Sequence, residues 1–401
     1  MPVPVMQTRN HPMYYAVCSW IPLSRQTNRK LTMTYRKITI VLIFAWITVC
    51  AGLTGCGKKT PAQLSRETRL EQSPQYQDGK FQNPIFAPVM ASGSFWKYVK
   101  KRVMVPRVDP EPPEGVIPVT PIIKKEWAAP EKSRLSFAWL GHASVLIAMG
   151  GKTILVDPVL EERCSPFSWI GPKRFHPSPV AANGLPHIDV VLITHDHYDH
   201  LEESTMRYLA DKAGLFAVPL GIGALLEEWQ IPHEKIVELD WWEPHDAGPL
   251  RLTAVPGVHY AKRGLFDGDQ RLWCAWTVHG ESRRIFISGD SGYYDGFKTV
   301  GRRLGPFDLT FLKVGAYDDL WKQIHMLPEE AVQQHLDLQG NIMVPLHWVT
   351  FDLAMHPWYE PADRALESSN AKGVTLLTPP IGAVVDLDRL PKENRWWQQL
   401  K

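Results

Sequence analysis

Three imidazoles and a carboxylate share six residues at the spacing His195-x-His197-x-Asp199-His200, directly behind the apolar run Val190-Val191-Leu192-Ile193. The run reads as a buried strand, so its C-terminal end must deliver polar groups that are costly to bury unless something pairs them. Neutral imidazole and carboxylate are both good ligands for Zn²⁺. His195 and His197 can converge on one cation from a tight turn, with Asp199 and His200 turned to a second. A solvated histidine-rich loop is the competing reading, and the strand immediately ahead argues against it.

The same arrangement recurs downstream. Residues 250–255 read as a strand leading across Pro256-Gly257 to His259, residues 284–288 lead through Gly289 to Asp290, and residues 342–346 end at His347. Singly, each has a blander reading: a lone histidine is often polar surface, and an aspartate after glycine often forms a turn. Together, four strand ends deliver ligand-type residues. Further strands are expected at 136–140 and 144–148, around a Gly141-His142 turn, and at 153–156, 215–218, 274–278 and 309–312. Helices are expected at 95–103, 202–212, 221–230 and 328–336, the last with Pro328 and Glu329-Glu330 in its first turn. Mixed strands and helices fit a layered α/β domain. The expected division is an N-terminal extension and signal at 1–56, a tether and proline-rich wrapping segment at 57–132, a catalytic domain at 133–390 and a tail at 391–401.

Several further blocks resemble one family. Trp139-Leu140-Gly141-His142-Ala143-Ser144, Gly171-Pro172-Lys173-Arg174-Phe175, Glu238-Leu239-Asp240-Trp241-Trp242-Glu243, Ser288-Gly289-Asp290-Ser291-Gly292-Tyr293 and His347-Trp348-x-Thr350-Phe351, together with the histidine motif, are similar to the metallo-β-lactamase superfamily. Within it they resemble the branch of N-acylphosphatidylethanolamine-hydrolysing phospholipase D, over about residues 135–365. The resemblance implies an αββα four-layer sandwich and two Zn²⁺ per chain. It implies His195, His197 and His259 on the first zinc, Asp199, His200 and His347 on the second, and Asp290 on both. Such a pair lowers the pKa of bound water to about 7 and suits hydrolysis of a phosphodiester. His325 lines up with a family histidine that approaches substrate, with a helix-cap role as the alternative. Tyr198, inside the motif, either touches substrate or packs. Asp157, at a strand end before Pro158, braces the metal loop rather than binding metal. Lys173-Arg174 and Lys262-Arg263 read as solvated charge pairs, with lipid headgroups as the alternative. Two departures from the family pattern, Asp196 in place of asparagine and Ile324 in place of a polar residue, are expected near the substrate path and bear on which substrate is used.

A net charge of +2 gives no nucleic-acid surface. Arg36-Lys37 ahead of the apolar residues 38–54, ending Leu53-Thr54-Gly55-Cys56, resembles a bacterial lipoprotein signal in which Cys56 is lipidated. A short uncleaved membrane span is the alternative. Met33 would give an ordinary start, making residues 1–32 an over-extension. The expected setting is the bacterial cell envelope, with the protein anchored to the membrane, facing the periplasm or exterior, beside a phospholipid substrate; a homodimer is left open. Cys164 and Cys274 lack any C-x-x-C spacing and read as free thiols or a single disulfide. Two alternatives to the phosphodiesterase are a lactonase or small-ester metallohydrolase and a non-enzymatic metal-binding envelope lipoprotein.

Overall fold

The computed structural model describes residues 61–89, 94–127, 131–392 and 395–401. The signal-like segment and Cys56 lie outside the described residues. From residue 61 the chain is an arm rather than a loose tether: helix α1 (Pro61–Gln72), the short strands β1 (Tyr76–Gln77) and β2 (Lys80–Phe81), and helix α2 (Ser94–Met104). Polar composition concealed this because the arm docks largely through charge. Buried Arg66 pairs with Glu238 and Glu227, and Arg69 donates to the Glu238 carbonyl at 2.7 Å and to Glu243 at 2.6 Å. Phe81, 2% exposed, carries the arm into the main core, with half-buried Leu70 and Tyr76 packed against it. No described helix is long and apolar enough to cross a membrane.

The first sheet takes β3 (Ser136–Gly141), β4 (Ser144–Met149), β5 (Lys152–Val156), β6 (Ile188–Leu192), β7 (Ala213–Pro219) and β8 (Ile236–Leu239), with β16 (Val384–Asp386) on its edge beside β3. The β3–β4 turn needs left-handed backbone at Gly141 (φ 101°) and His142 (φ 52°). Strand β6 runs parallel between β5 and β7 and is apolar because both its faces are covered. Val190 and Leu192 face the core between the sheets, while Val191 and Ile193 face helices α3 (Glu203–Leu209) and α4 (Ile222–Glu228).

The second sheet orders β9 (Pro244–Ala247), β10 (Leu250–Val255), β11 (Ala275–His279), β12 (Arg284–Ile287), β13 (Phe307–Lys313), β14 (Gly340–Leu346) and β15 (Thr375–Leu376) side by side. Helices α5 (Gly296–Leu304), α6 (Pro328–Asp337) and α7 (Glu360–Lys372) pack on it. Contacts between the sheets are direct: Phe137 meets Phe311 edge to face at 5.0 Å, and Trp276 donates its indole N–H to the Ile193 carbonyl at 2.9 Å. The layering is the αββα sandwich expected. Because β11 is antiparallel to both β10 and β12, and β12 to β15 are mutually parallel, β10, β12, β13 and β14 all run the same way. Their C-terminal ends open at one edge of the sandwich.

The C-terminal residues are not a detached tail. Trp396 and Trp397 are buried, Trp396 stacks on Trp348, and Trp397 donates to Asp363 at 2.9 Å. Trp241, Trp348 and Trp358 are buried as well. Cys164 and Cys274 are free, buried thiols.

Candidate metal centre

Strand β6 extends through Ile193-Thr194 and hands over His195. Its Nε2 lies 2.9 Å from His197 Nδ1, and His259 Nε2, beyond the end of β10, lies 3.2 Å from that same atom. The far side of two of these rings is already occupied: His195 Nδ1 is 3.0 Å from Thr194 Oγ1, and His259 Nδ1 donates to the Ile324 carbonyl at 3.2 Å. The Nε2 lone pairs of His195 and His259 therefore converge on His197 Nδ1, around a space that suits a cation.

A second group forms alongside. Asp199 Oδ2 is 2.9 Å from His142 Nε2 and 3.4 Å from His347 Nε2. Asp290, reached from β12 through left-handed Gly289, sets Oδ2 3.2 Å from His347 Nε2 and Oδ1 3.5 Å from His200 Nε2. Among the described residues four ligand groupings appear: His142, Asp199, His200 and His347; His195, His197 and His259; His195, His200 and Asp290; and His259, Asp290 and His325. Asp290 thus touches both ends of the cluster. His200 Nε2, His347 Nε2 and Asp290 Oδ1 are buried without hydrogen-bond partners, and all three point inward. Such orphaned donor atoms fit a bound metal.

The surroundings fix the ligand orientations. Asp157 accepts the Thr194 N–H at 2.8 Å, the Thr194 hydroxyl at 2.6 Å and His200 Nδ1–H at 2.8 Å, leaving His200 Nε2 free to coordinate. His347 holds a left-handed backbone (φ 69°), its N–H donating to the His142 carbonyl at 3.0 Å. Burial, then the neighbouring rings, pushes His195 and His259 well below the ordinary histidine range. Burial also opposes ionising Asp290, but His347, His200 and His325 outweigh it and hold the carboxyl well below the usual range. Burial likewise opposes charging His200, yet Asp290, Asp199 and Asp157 hold it well above. The carboxylates around His200 thus favour positive charge at this end of the cluster.

The seven residues expected as ligands are brought together, and two residues not expected there join them. The His142 ring lies tilted against the His347 ring, centroids 3.8 Å apart, and burial followed by His347 lowers its pKa to about 3. The Gly141-His142 turn was readable, but not that it would meet the end of β14. Lys313, closing β13, is buried, donates to the Met326 carbonyl at 3.3 Å, and is pushed down by burial to about 7. No sequence signal marked it.

His325 sets Nε2 3.6 Å from Asp290 Oδ2, and the cap of α6 is made instead by Glu330, which accepts the Leu327 N–H at 2.8 Å. Tyr198 donates to the Arg263 carbonyl at 3.1 Å and lines a pocket of about 550 Å³ that none of the seven ligand-type residues lines. Asp196 is buried beside the cluster, accepting from Arg271 at 2.5 Å and from the Lys262 N–H at 2.9 Å. A carboxylate there answers the guanidinium of Arg271. Ile324, 2% exposed, contributes its carbonyl to His259. Arg174 and Arg263 are structural rather than solvated: Arg174 is buried against the Leu140 carbonyl, and Arg263 lies over the Tyr198 and Trp229 rings.

An αββα sandwich with a histidine–aspartate cluster at its strand ends is the architecture of a metal-dependent hydrolase. Residues 152–348 match the beta-lactamase superfamily domain. The chain is 39% identical over 349 residues to an uncharacterized protein of Mycobacterium tuberculosis, covering 84% of this chain and 92% of that one. It is 35% identical over 254 residues to N-acyl-phosphatidylethanolamine-hydrolyzing phospholipase D 1 of Caenorhabditis elegans, covering 60% of this chain and 71% of that protein. Among solved structures, the isothiocyanate hydrolase from Delia radicum gut bacteria shares the fold, with a TM-score of 0.51 and 22% identity over 62% of this chain and 98% of that one. The chain belongs to the metallo-β-lactamase superfamily, in the branch that includes the N-acylphosphatidylethanolamine-hydrolysing phospholipases D.

Proposed function

We propose that the chain is a zinc-dependent phosphodiesterase of phospholipase D type, which releases N-acylethanolamine and phosphatidate from N-acylphosphatidylethanolamine or a related lipid. The observation that carries this reading is Asp290, whose carboxylate adjoins both ends of the cluster and so suits two cations rather than one. The likeness to the worm phospholipase supports the lipid. In this reading His195, His197 and His259 would hold one zinc and Asp199, His200 and His347 the other, with Asp290 available to either. Zinc bound there would activate water near neutral pH and offset charge on the phosphate.

The protein's own groups do the rest. Most of the cluster is buried, and the Asp199 and His325 side chains, 18% and 14% exposed, mark its mouth. Substrate entering there meets His325, which orients the phosphate or the leaving oxygen. Asp199, held in place by His142 at 2.9 Å, would orient the attacking water by accepting a hydrogen bond from it. Asp290 keeps the two halves of the site in register. A lipid anchor at Cys56 would hold the enzyme against its phospholipid in the bacterial envelope.

The test is metal analysis of the purified full chain together with mass spectrometry of products from synthetic N-acylphosphatidylethanolamine, with a lactone as comparison. Two zinc per chain and released N-acylethanolamine are expected. Lactone turnover without lipid turnover would replace this reading by a lactonase. One retained zinc with no hydrolysis would leave a metal-binding envelope protein.

A further inference from the structure

We infer that Asn83, in the N-terminal arm, is a positioning residue for the metal centre, acting through the backbone of His259. His259 lies past the end of β10, where none of the described strands supplies it with ladder hydrogen bonds, yet it is fully buried. Buried backbone N–H and C=O groups must find partners. Asn83 supplies both at once: its Nδ2 donates to the His259 carbonyl at 2.8 Å, and its Oδ1 accepts the His259 N–H at 2.9 Å. Among side chains of this length only an amide carries a donor and an acceptor side by side; aspartate can accept but not donate.

The grip is itself anchored. Two residues earlier Phe81 is buried in the main core, and its N–H donates to the Asp269 carbonyl at 2.7 Å. Further along, Val89 packs against the cluster containing Ile324, whose carbonyl takes the His259 ring. Backbone and ring of His259 are therefore both fixed, and Nε2 is left aimed at His195 and His197. The arm completes the metal centre in place of a missing strand.

The inference rests on the metal-site reading, and its test separates the two. Full-length protein, Asn83→Ala, Asn83→Asp and the exposed control Gln82→Ala are stripped of metal and reloaded with Co²⁺ or Zn²⁺ against a competing chelator. Exchange of the His259 amide is followed in the metal-free proteins. Asn83→Ala is expected to weaken one metal site by about 10–100-fold, as loss of outer-shell partners does. It is also expected to change the visible Co²⁺ spectrum and speed exchange at His259. Asn83→Asp should fall between it and wild type, and it carries the test alone if Asn83→Ala does not fold. Gln82→Ala should match wild type. Wild-type metal affinity, Co²⁺ spectrum and amide protection in the Asn83 variants would overturn the inference while leaving the metal site standing. A wild-type chain that binds neither metal would overturn both.

Discussion

Asp157 shows how one carboxylate can govern a site without belonging to it. It takes two hydrogen bonds from Thr194, which fixes the exit of β6, and a third from His200 Nδ1, which fixes the ring's tautomer. Its left-handed backbone (φ 38°) is a strained conformation kept because those three contacts over-determine it. Replacing it with asparagine preserves the shape but removes the charge that makes His200 a strong ligand. Asp157→Asn is expected to weaken metal binding on the His200 side by about 10–100-fold while the site of His195, His197 and His259 keeps its affinity. Metal content after dialysis against graded chelator reads this directly, and full retention of both ions at wild-type affinity would contradict it. Gly289 acts at the same scale. Its φ is 56°, and an added Cβ would lie 2.7 Å from Thr194 Cβ. Gly289→Ala must therefore shift either Asp290 or Thr194, and a destabilisation of roughly 1–3 kcal/mol is expected in urea unfolding.

Among elements, the arm is held largely by charge. Strand β6 and its neighbours bury apolar side chains on both faces, whereas α1 docks through Arg66 and Arg69 and α2 through Lys101 to Asp318 and Arg102 to Asp352. Arg66 and Glu238 are both nearly buried, so removing the cation strands a carboxylate. Arg66→Ala should cost about 3–5 kcal/mol, and a change within about 0.5 kcal/mol, typical of a surface substitution, would show that the arm is loosely attached. The same contrast explains what could be read from the sequence. Strands ending at His195, His259, Asp290 and His347 announce themselves because apolar runs stop abruptly at ligand-type residues. Arg66 carries no such mark, since its partners Glu227 and Glu238 are more than 160 positions away. His142 and Asn83 act through chain segments that meet only once both sheets have closed. Trp396 and Trp397 looked like a tail because their burial depends on Trp348 and Asp363, not on a local pattern.

At the scale of the whole molecule, burying so many imidazoles couples the fold to pH. Burial lowers the pKa of His335, beside Thr310, to about 4, and burial followed by Arg174 lowers that of His176 to about 3. Neither residue is among the expected ligands. An unfolded histidine titrates near 6.5. Between that value and the folded pKa the unfolded chain binds more protons than the folded one, so stability rises with pH. These groups therefore contribute no penalty above about 6.5, and a growing one as pH falls from there toward about 3–4. His195, His259 and His325, also depressed by burial, act in the same direction, while His200, held up by Asp290 and Asp199, opposes them. Depressed histidines outnumber raised ones, so the metal-free protein should unfold at lower urea at pH 5 than at pH 7.5. Saturating metal should raise the midpoint at pH 7.5, because the ion binds the folded state alone, and should raise it less at pH 5, where protons compete for the same ring nitrogens. A metal-free midpoint independent of pH across that range would mean that the buried histidines titrate together with water, and that the cluster opens far more readily than its packing indicates.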